Sequence, residues 1–275
     1  DLMMDKGLAP TALMSELKKR DDFHAAPFLG NYFIRFNASR KPFNDPRVRL
    51  AFSLVVDKKR ITEKITRAGE IPAFSLTPPG TGQTYEPPAG LEMNLERARQ
   101  LLAEAGYPGG AGFPIVYYLY KGDSEMDQNI AVELQGMFRE LGVNMQLQGQ
   151  EWTVYLKLQS SLDYDLCRSS WVADYNDPNT FLNMFVTGDG NNRTGWGNPK
   201  YDELIAAAGR ELDEKKRFEI FKEAERILIV EGAPICPIFY YVGIQFYDAE
   251  RLGGLEPNLL DEHPLRYLYW KKPRQ

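Results

Sequence analysis

The period of the apolar positions changes several times along the chain, and each change marks an element. Residues 9–20 (APTALMSELKKR) place Leu13 and Leu17 on one face of a short helix. A linker follows, and residues 31–37 (NYFIRFN) then alternate as a strand does. Asp45-Pro46 supplies an N-cap with proline in the first turn, after which Val48, Phe52 and Val55 repeat at helical spacing. Asp57 caps a second helix. Residues 77–90 (TPPGTGQTYEPPAG) are too rich in proline and glycine for regular structure and read as an ordered surface loop. A helix over 94–105 stops at Gly106 and Pro108, in the order expected of a helix end.

The middle of the chain alternates between the two periods and so sets the fold class. Strand 115–120, helix 125–141, strand 143–150, helix 152–159 and strand 164–171 make a βαβαβ unit. The expected architecture is α/β: an open sheet with parallel strands and covering helices, whose ligands bind beyond the carboxyl ends of the strands. Asp177-Pro178 repeats the cap-plus-proline signal of Asp45-Pro46. Residues 198–230 read as two helices, the second with Phe221, Ala224 and Leu228 on one face, and 235–242 and 244–247 as strands leaving the lobe. The tyrosines at 117–118, 240–241, 267 and 269 alternate as strand faces do, with core or interface packing as the default.

Composition narrows the function classes. Hydrophobic residues make up 43% of the 275 and charged residues 26%, and no apolar run approaches the ~20 residues that cross a bilayer. With 33 Lys and Arg against 38 Asp and Glu, the net charge of -5 argues against a nucleic-acid partner and mildly favours cationic ones. Cys167 and Cys236 lie in separate apolar runs, which points to buried free thiols rather than a disulfide. The first residues contain no basic and apolar leader pattern, so the compartment is not legible there.

Catalytic signatures are sparse. His24 and His263, the two histidines, stand in polar or loop-like surroundings, which leaves a nucleophilic relay little to work with and fits no zinc site. Residues 188–193 (GDGNNR) miss both the dinucleotide-binding glycine pattern and calcium-loop spacing. The expectation is therefore no catalytic residue, no metal and no cofactor.

One stretch stands out. Residues 170–178 (SWVADYNDP) seat the lone carboxylate of Asp174 between Trp171 and Tyr175, where an apolar strand gives way to a helix. A carboxylate shielded by rings makes a strong charge-assisted bond to an ammonium group, whereas the same pair in open water is worth ~0–1 kcal/mol. By spacing alone Asp174 is equally a turn or cap aspartate. Trp171 is either a pocket wall or core filling. Tyr175 and Asn176 are weaker candidates, and Arg168, three residues before Trp171, is expected to neutralise nearby carboxylates, as a scaffold partner of Asp174.

The same stretch resembles the segment with which family 5 extracellular solute-binding proteins, the oligopeptide- and dipeptide-binding components of bacterial ABC importers, hold a peptide's free amino terminus. Residues 37–46 (NASRKPFNDP), 47–52 (RVRLAF), 73–80 (AFSLTPPG), 101–106 (LLAEAG) and 150–152 (QEW) fall in that family's order. The resemblance covers nearly the whole chain and is to the carboxyl-terminal half of such a protein. It implies a type II periplasmic-binding-protein-like lobe of the peptide-binding cluster. Residues 1–30 would be the end of an amino-terminal lobe with the hinge entry, 31–242 the ligand-binding lobe, and 243–275 a return segment of the other lobe. It further implies a periplasmic or cell-surface location, a short peptide as ligand, and a membrane permease and an amino-terminal lobe as partners. Asp174, Trp171, Tyr175, Asn176 and Arg168 would surround the ligand. Relatives on this scaffold take oligosaccharides, nickel complexes or glutathione, and an extracellular hydrolase is the alternative from another class. An arginine that meets the carboxyl terminus of the peptide in some members is matched by Gln159, so a length preference does not carry over. Glu151-Trp152 is expected to cap and pack its helix.

Overall fold

The computed structural model describes residues 2–4 and 9–271. Its strands are β1 (Leu2–Met3), β2 (Phe23–Phe36), β3 (Ile71–Pro72), β4 (Val116–Lys121), β5 (Met145–Gln150), β6 (Leu166–Val172), β7 (Ile235–Tyr247), β8 (Leu252–Gly253) and β9 (Tyr269–Trp270). The helices are α1 (Met14–Leu17), α2 (Pro46–Leu54), α3 (Lys58–Arg60), α4 (Leu95–Glu104), α5 (Glu125–Arg139), α6 (Trp152–Ser160), α7 (Asn179–Leu182), α8 (Pro199–Ala208) and α9 (Glu214–Arg226). The βαβαβ unit is present, each expected element displaced by no more than two residues at either end, as fraying helix and strand termini allow.

The sheet it builds is mixed. β5, β4 and β6 run parallel, whereas β2 is antiparallel to both β6 and β7, giving the order β1-β7-β2-β6-β4-β5 with β3 also on β7. The expectation of parallel strands is corrected for this half of the sheet. Nor is there a linker before residue 31: β2 begins at Phe23, because His24 to Pro27 pair with 242–245 of β7. Residues of modest strand propensity are recruited by a distant partner. Pro27, which has no N–H to donate, sits beside the register shift between Pro27 and Asn31. β7 runs unbroken through Gly243 instead of forming two strands.

Opposed residues of β2 and β6 share a face, and the two faces feed different cores. Tyr32, Ile34 and Phe36 join α2, α4 and α5 in one cluster, while Leu29 and Phe33 join Phe181, Phe185, Phe221 and Leu228 in another. A smaller cluster of Ala9, Met14, Ala68, Val242 and Ile244 lies at the far end of the β2–β7 ribbon. There Met14 rather than Leu13 faces inward: the segment is a 3-10 turn followed by one α-helical turn, and Leu13 is 54% exposed. Tyr267 and Tyr269 are exposed, the first in a 3-10 turn, so that run does not pack as a strand face. Cys167 and Cys236 are buried free thiols, the former pushed up to about 11 by burial.

Candidate functional site

The parallel strands β4 and β5 end together at Lys121 and Gln150, and β6 runs on past them, alongside β2, to Val172. The rim they form is partly apolar, with Val172 and Trp152 exposed and the Lys121 ammonium 5.7 Å from the Trp152 ring centre. Glu151 caps α6 by accepting from the Thr153 and Val154 N–H groups at 2.9 and 3.3 Å, which holds its carboxyl below the usual range. Trp152 stacks on Tyr155 but stays exposed, so it lines the rim rather than packing inside.

The turn after β6 is fastened at many points. Ala173 N–H donates to the Leu29 carbonyl at 2.8 Å, and Asp174 N–H to Thr180 Oγ1 at 3.1 Å. Asn179 Nδ2 donates to the Tyr175 hydroxyl at 3.0 Å, and Gly82 N–H to Asn176 Oδ1 at 2.7 Å. Asp177 accepts from Asn179 N–H at 2.9 Å, as Asp45 accepts from Arg47 N–H at 2.9 Å, but the second cap-plus-proline signal is shifted by one residue: α7 begins at Asn179 with Pro178 in the cap position. Amid these bonds the Asp174 carboxylate is exposed and has no side-chain partner among the described residues. The ring shielding expected of it is partial: Tyr175 is also exposed and only Trp171 is half-buried.

Trp171 lies opposite Asn31 across the β2–β6 pair. Asn31 is fully buried and donates through Nδ2 to the carbonyls of Ser75, at 3.2 Å, and of Leu76, while its Oδ1 and the Trp171 Nε1 are buried without hydrogen-bond partners among the described residues. Trp171 is half-buried and packs against the second core, the core-filling alternative of the two.

Arg168 is placed otherwise than expected. Strand alternation turns it to the opposite face from Trp171, where its Nε lies 3.2–3.3 Å from the Asp127 carboxylate and its guanidinium sits 5.1 Å from the Tyr32 ring centre. It is the scaffold partner of Asp127, not of Asp174. Asp127 is buried in the first turn of α5, where Ser124 to Asp127 reads in sequence merely as a helix start. Gln159 is also enclosed: it donates to the Tyr155 hydroxyl at 2.8 Å and accepts from Arg193 Nη1 at 2.9 Å.

Sequence reasoning missed the groups that hold the loop beside this turn. Glu225 of α9 is fully buried; its Oε1 accepts from the N–H groups of Leu76 and Thr77 at 2.7 and 2.8 Å, and its Oε2 from the Tyr85 hydroxyl at 2.6 Å. Burial raises its carboxyl above the usual range, against the pull of these bonds. The available signal was a glutamate inside the apolar stripe of Phe221, Ala224 and Leu228. Concavities of about 330 and 690 Å³ lie elsewhere, by Leu2, Arg20 and Phe246 and by Tyr85, Glu214 and Phe218. Among the described residues no group of three or more His, Cys, Asp or Glu could hold a metal ion, and no helix is long and apolar enough to cross a membrane.

A mixed sheet whose parallel strands end at an open acid-and-aromatic rim has the architecture of a periplasmic-binding-protein lobe, and the likeness to solved structures bears this out. Residues 3–193 match the bacterial extracellular solute-binding proteins, family 5 Middle, and the chain belongs to that family. It is 39% identical over 224 residues to the periplasmic murein peptide-binding protein MppA of Escherichia coli, covering 79% of this chain and 41% of MppA. A crystal structure of a periplasmic oligopeptide-binding protein, OppAIV of Borrelia burgdorferi, superposes with a TM-score of 0.89 at 32% identity, covering 98% of this chain and 54% of that one. OppA of Haemophilus influenzae, solved in complex with RPPGFSPFR, gives 0.87 at 29% identity, over 99% of this chain and 54% of OppA. The chain spans about half the length of the curated relatives it matches.

Proposed function

We propose that this chain is a ligand-binding lobe of the substrate-binding component of an ABC importer, taking up short peptides by their free amino terminus. The observation that carries the reading is Asp174: an exposed carboxylate without a side-chain partner among the described residues, fixed by its backbone at the carboxyl end of a parallel strand. A peptide ammonium supplies the missing partner. Trp171 and Tyr175 wall the position, Asn176 holds the turn to the neighbouring loop, and Arg168 fixes the scaffold through Asp127. The main chain of the peptide pairs strand-like beyond β6, so affinity comes from groups common to all sequences. The role is binding without chemistry, at the periplasmic face or cell surface, with a membrane permease as the downstream partner.

The openness of Asp174 in this chain bears on affinity. An ammonium–carboxylate pair in contact with water is worth ~0–1 kcal/mol, so tight binding requires enclosure. A second lobe, drawn from the further length that the matched relatives possess, supplies that enclosure. Residues 23–30 and 242–247, where β2 and β7 pair beyond the edge of β6, are the crossing to it, and 1–30 and 243–275 are its share of this chain.

Calorimetric titration with tri-alanine, with N-acetyl-tri-alanine, and of Asp174→Asn with tri-alanine tests this. Heat from the free amine alone, lost in the variant, is the expected outcome. Equal binding of the acetylated peptide would overturn the role of Asp174, and no heat in any arm would assign binding to a longer polypeptide.

A further inference from the structure

We propose that α9 is the positioning element of the amine site, with Arg217 and Glu225 fixing the two backbone segments that flank Asp174. This rests on the reading of Asp174 above and adds residues to it. Arg217, Phe221 and Glu225 follow one another at four-residue steps and therefore share one face of the helix. Each end of that face grips a different segment. Arg217 Nη1 and Nη2 donate to the two carboxylate oxygens of Asp177 at 2.6 and 2.9 Å, its Nε donates to the Ala208 carbonyl at 3.2 Å, and its guanidinium lies 4.7 Å from the Phe221 ring centre. Glu225 gathers Leu76, Thr77 and Tyr85, the beginning and the middle of the proline-rich loop. The bond from Gly82 N–H to Asn176 Oδ1 closes the third side, so helix, loop and turn form one frame around Asp174.

The charges of the frame matter as much as its geometry. The turn carries two carboxylates, Asp174 and Asp177, and Arg217 consumes the second in a two-pronged pair. The anionic character of the turn is thereby concentrated on the one carboxylate that faces outward. Arg226, further along α9, is a natural contrast, because its ion pairs with Glu223 and Glu231 are exposed and hold neither segment.

Amide hydrogen exchange and tri-alanine titration of Arg217→Ala, Arg217→Lys, Glu225→Gln and the control Arg226→Ala decide the matter. In Arg217→Ala the Asp174 and Asn179 amides are expected to lose about tenfold in protection, as follows from removing a charged hydrogen bond, while Ser169 in β6 keeps its own. Glu225→Gln should do the same to Gly82, Arg217→Lys should restore part of the loss, and Arg226→Ala should change nothing. Tri-alanine should bind more weakly to Arg217→Ala, by up to about fivefold, the most that an ammonium–carboxylate pair open to water can lose. Unchanged exchange at Asp174, Asn179 and Gly82, or a loss spread equally over β6, would overturn the proposal whether or not tri-alanine binds. Failure of the unmodified chain to bind tri-alanine counts against the functional reading alone.

Discussion

The ring cluster between β2, α2 and α5 and the loop platform beneath Asp174 are both buried, yet different forces hold them. In the first, Phe36 stacks on Phe43 while Phe52 meets both edge-on and Phe138 at a tilt, with Phe43–Phe52 and Phe52–Phe138 centroids 5.1 and 4.7 Å apart. Strand and helix satisfy their own backbone groups there, so apolar area and ring geometry suffice. In the second, the loop over 73–90 has no ladder of its own. The backbone groups of 75–77 are met instead by buried side chains: Glu225 on the Leu76 and Thr77 N–H groups, Asn31 on the Ser75 and Leu76 carbonyls, and Tyr240 on the Ser75 carbonyl at 3.0 Å. An irregular segment can lie against a core only if polar groups are buried with it, and such a segment is where a site with its own shape can be built.

The comparison breaks if the ring cluster proves dispensable. Phe52→Ala is expected to lower stability by ~3–5 kcal/mol in urea unfolding, because a fully buried ring leaves a cavity that its neighbours cannot fill. A loss below ~1 kcal/mol would mean that this core is not close-packed.

Glu225 tests the other region through pH. Burial raises its folded-state value above the ordinary glutamate range, so between those two values the folded chain binds more protons than the unfolded one. The contribution is complete at the acid end and is lost as pH rises through the folded value. Relative to Glu225→Gln, the unmodified chain should therefore lose stability as pH rises from about 4. Parallel pH profiles for the two proteins would show that the carboxylate is not desolvated as its place in the platform requires. The smallest effect belongs to Asp174→Asn, expected within ~0.5 kcal/mol of the parent in the same unfolding experiment, since the carboxylate bonds to no side chain among the described residues. A larger loss would make Asp174 part of the platform rather than an exposed residue that the platform does not need.

Much of the scaffold is legible in the sequence. The caps at Asp45 and Asp57 accept from helix N–H groups, and the alternation of periods located β4, α5, β5, α6 and β6. What escaped was the start of β2, the continuity of β7, the inward turn of Met14 and the partner of Arg168. Each depends on a residue far away in sequence. His24 is strand because it meets Gln245, and Arg168 is neutralised by a carboxylate on α5 because strand parity points it there.

The sequence by itself determined the local grammar: which stretches are helix or strand, where caps end them, and that an acid between two rings stands at a strand's end. Those signals act within a few residues, through backbone sterics and side-chain bonds to nearby amides. Only the tertiary structure decided which face each side chain takes, that Asp127 occupies Arg168 and Arg217 occupies Asp177, and that Asp174 is left exposed without a side-chain partner. The physical reason is that sheet register and helix docking are settled by burial summed over the whole molecule, and a charge finds its partner only after that sum is made.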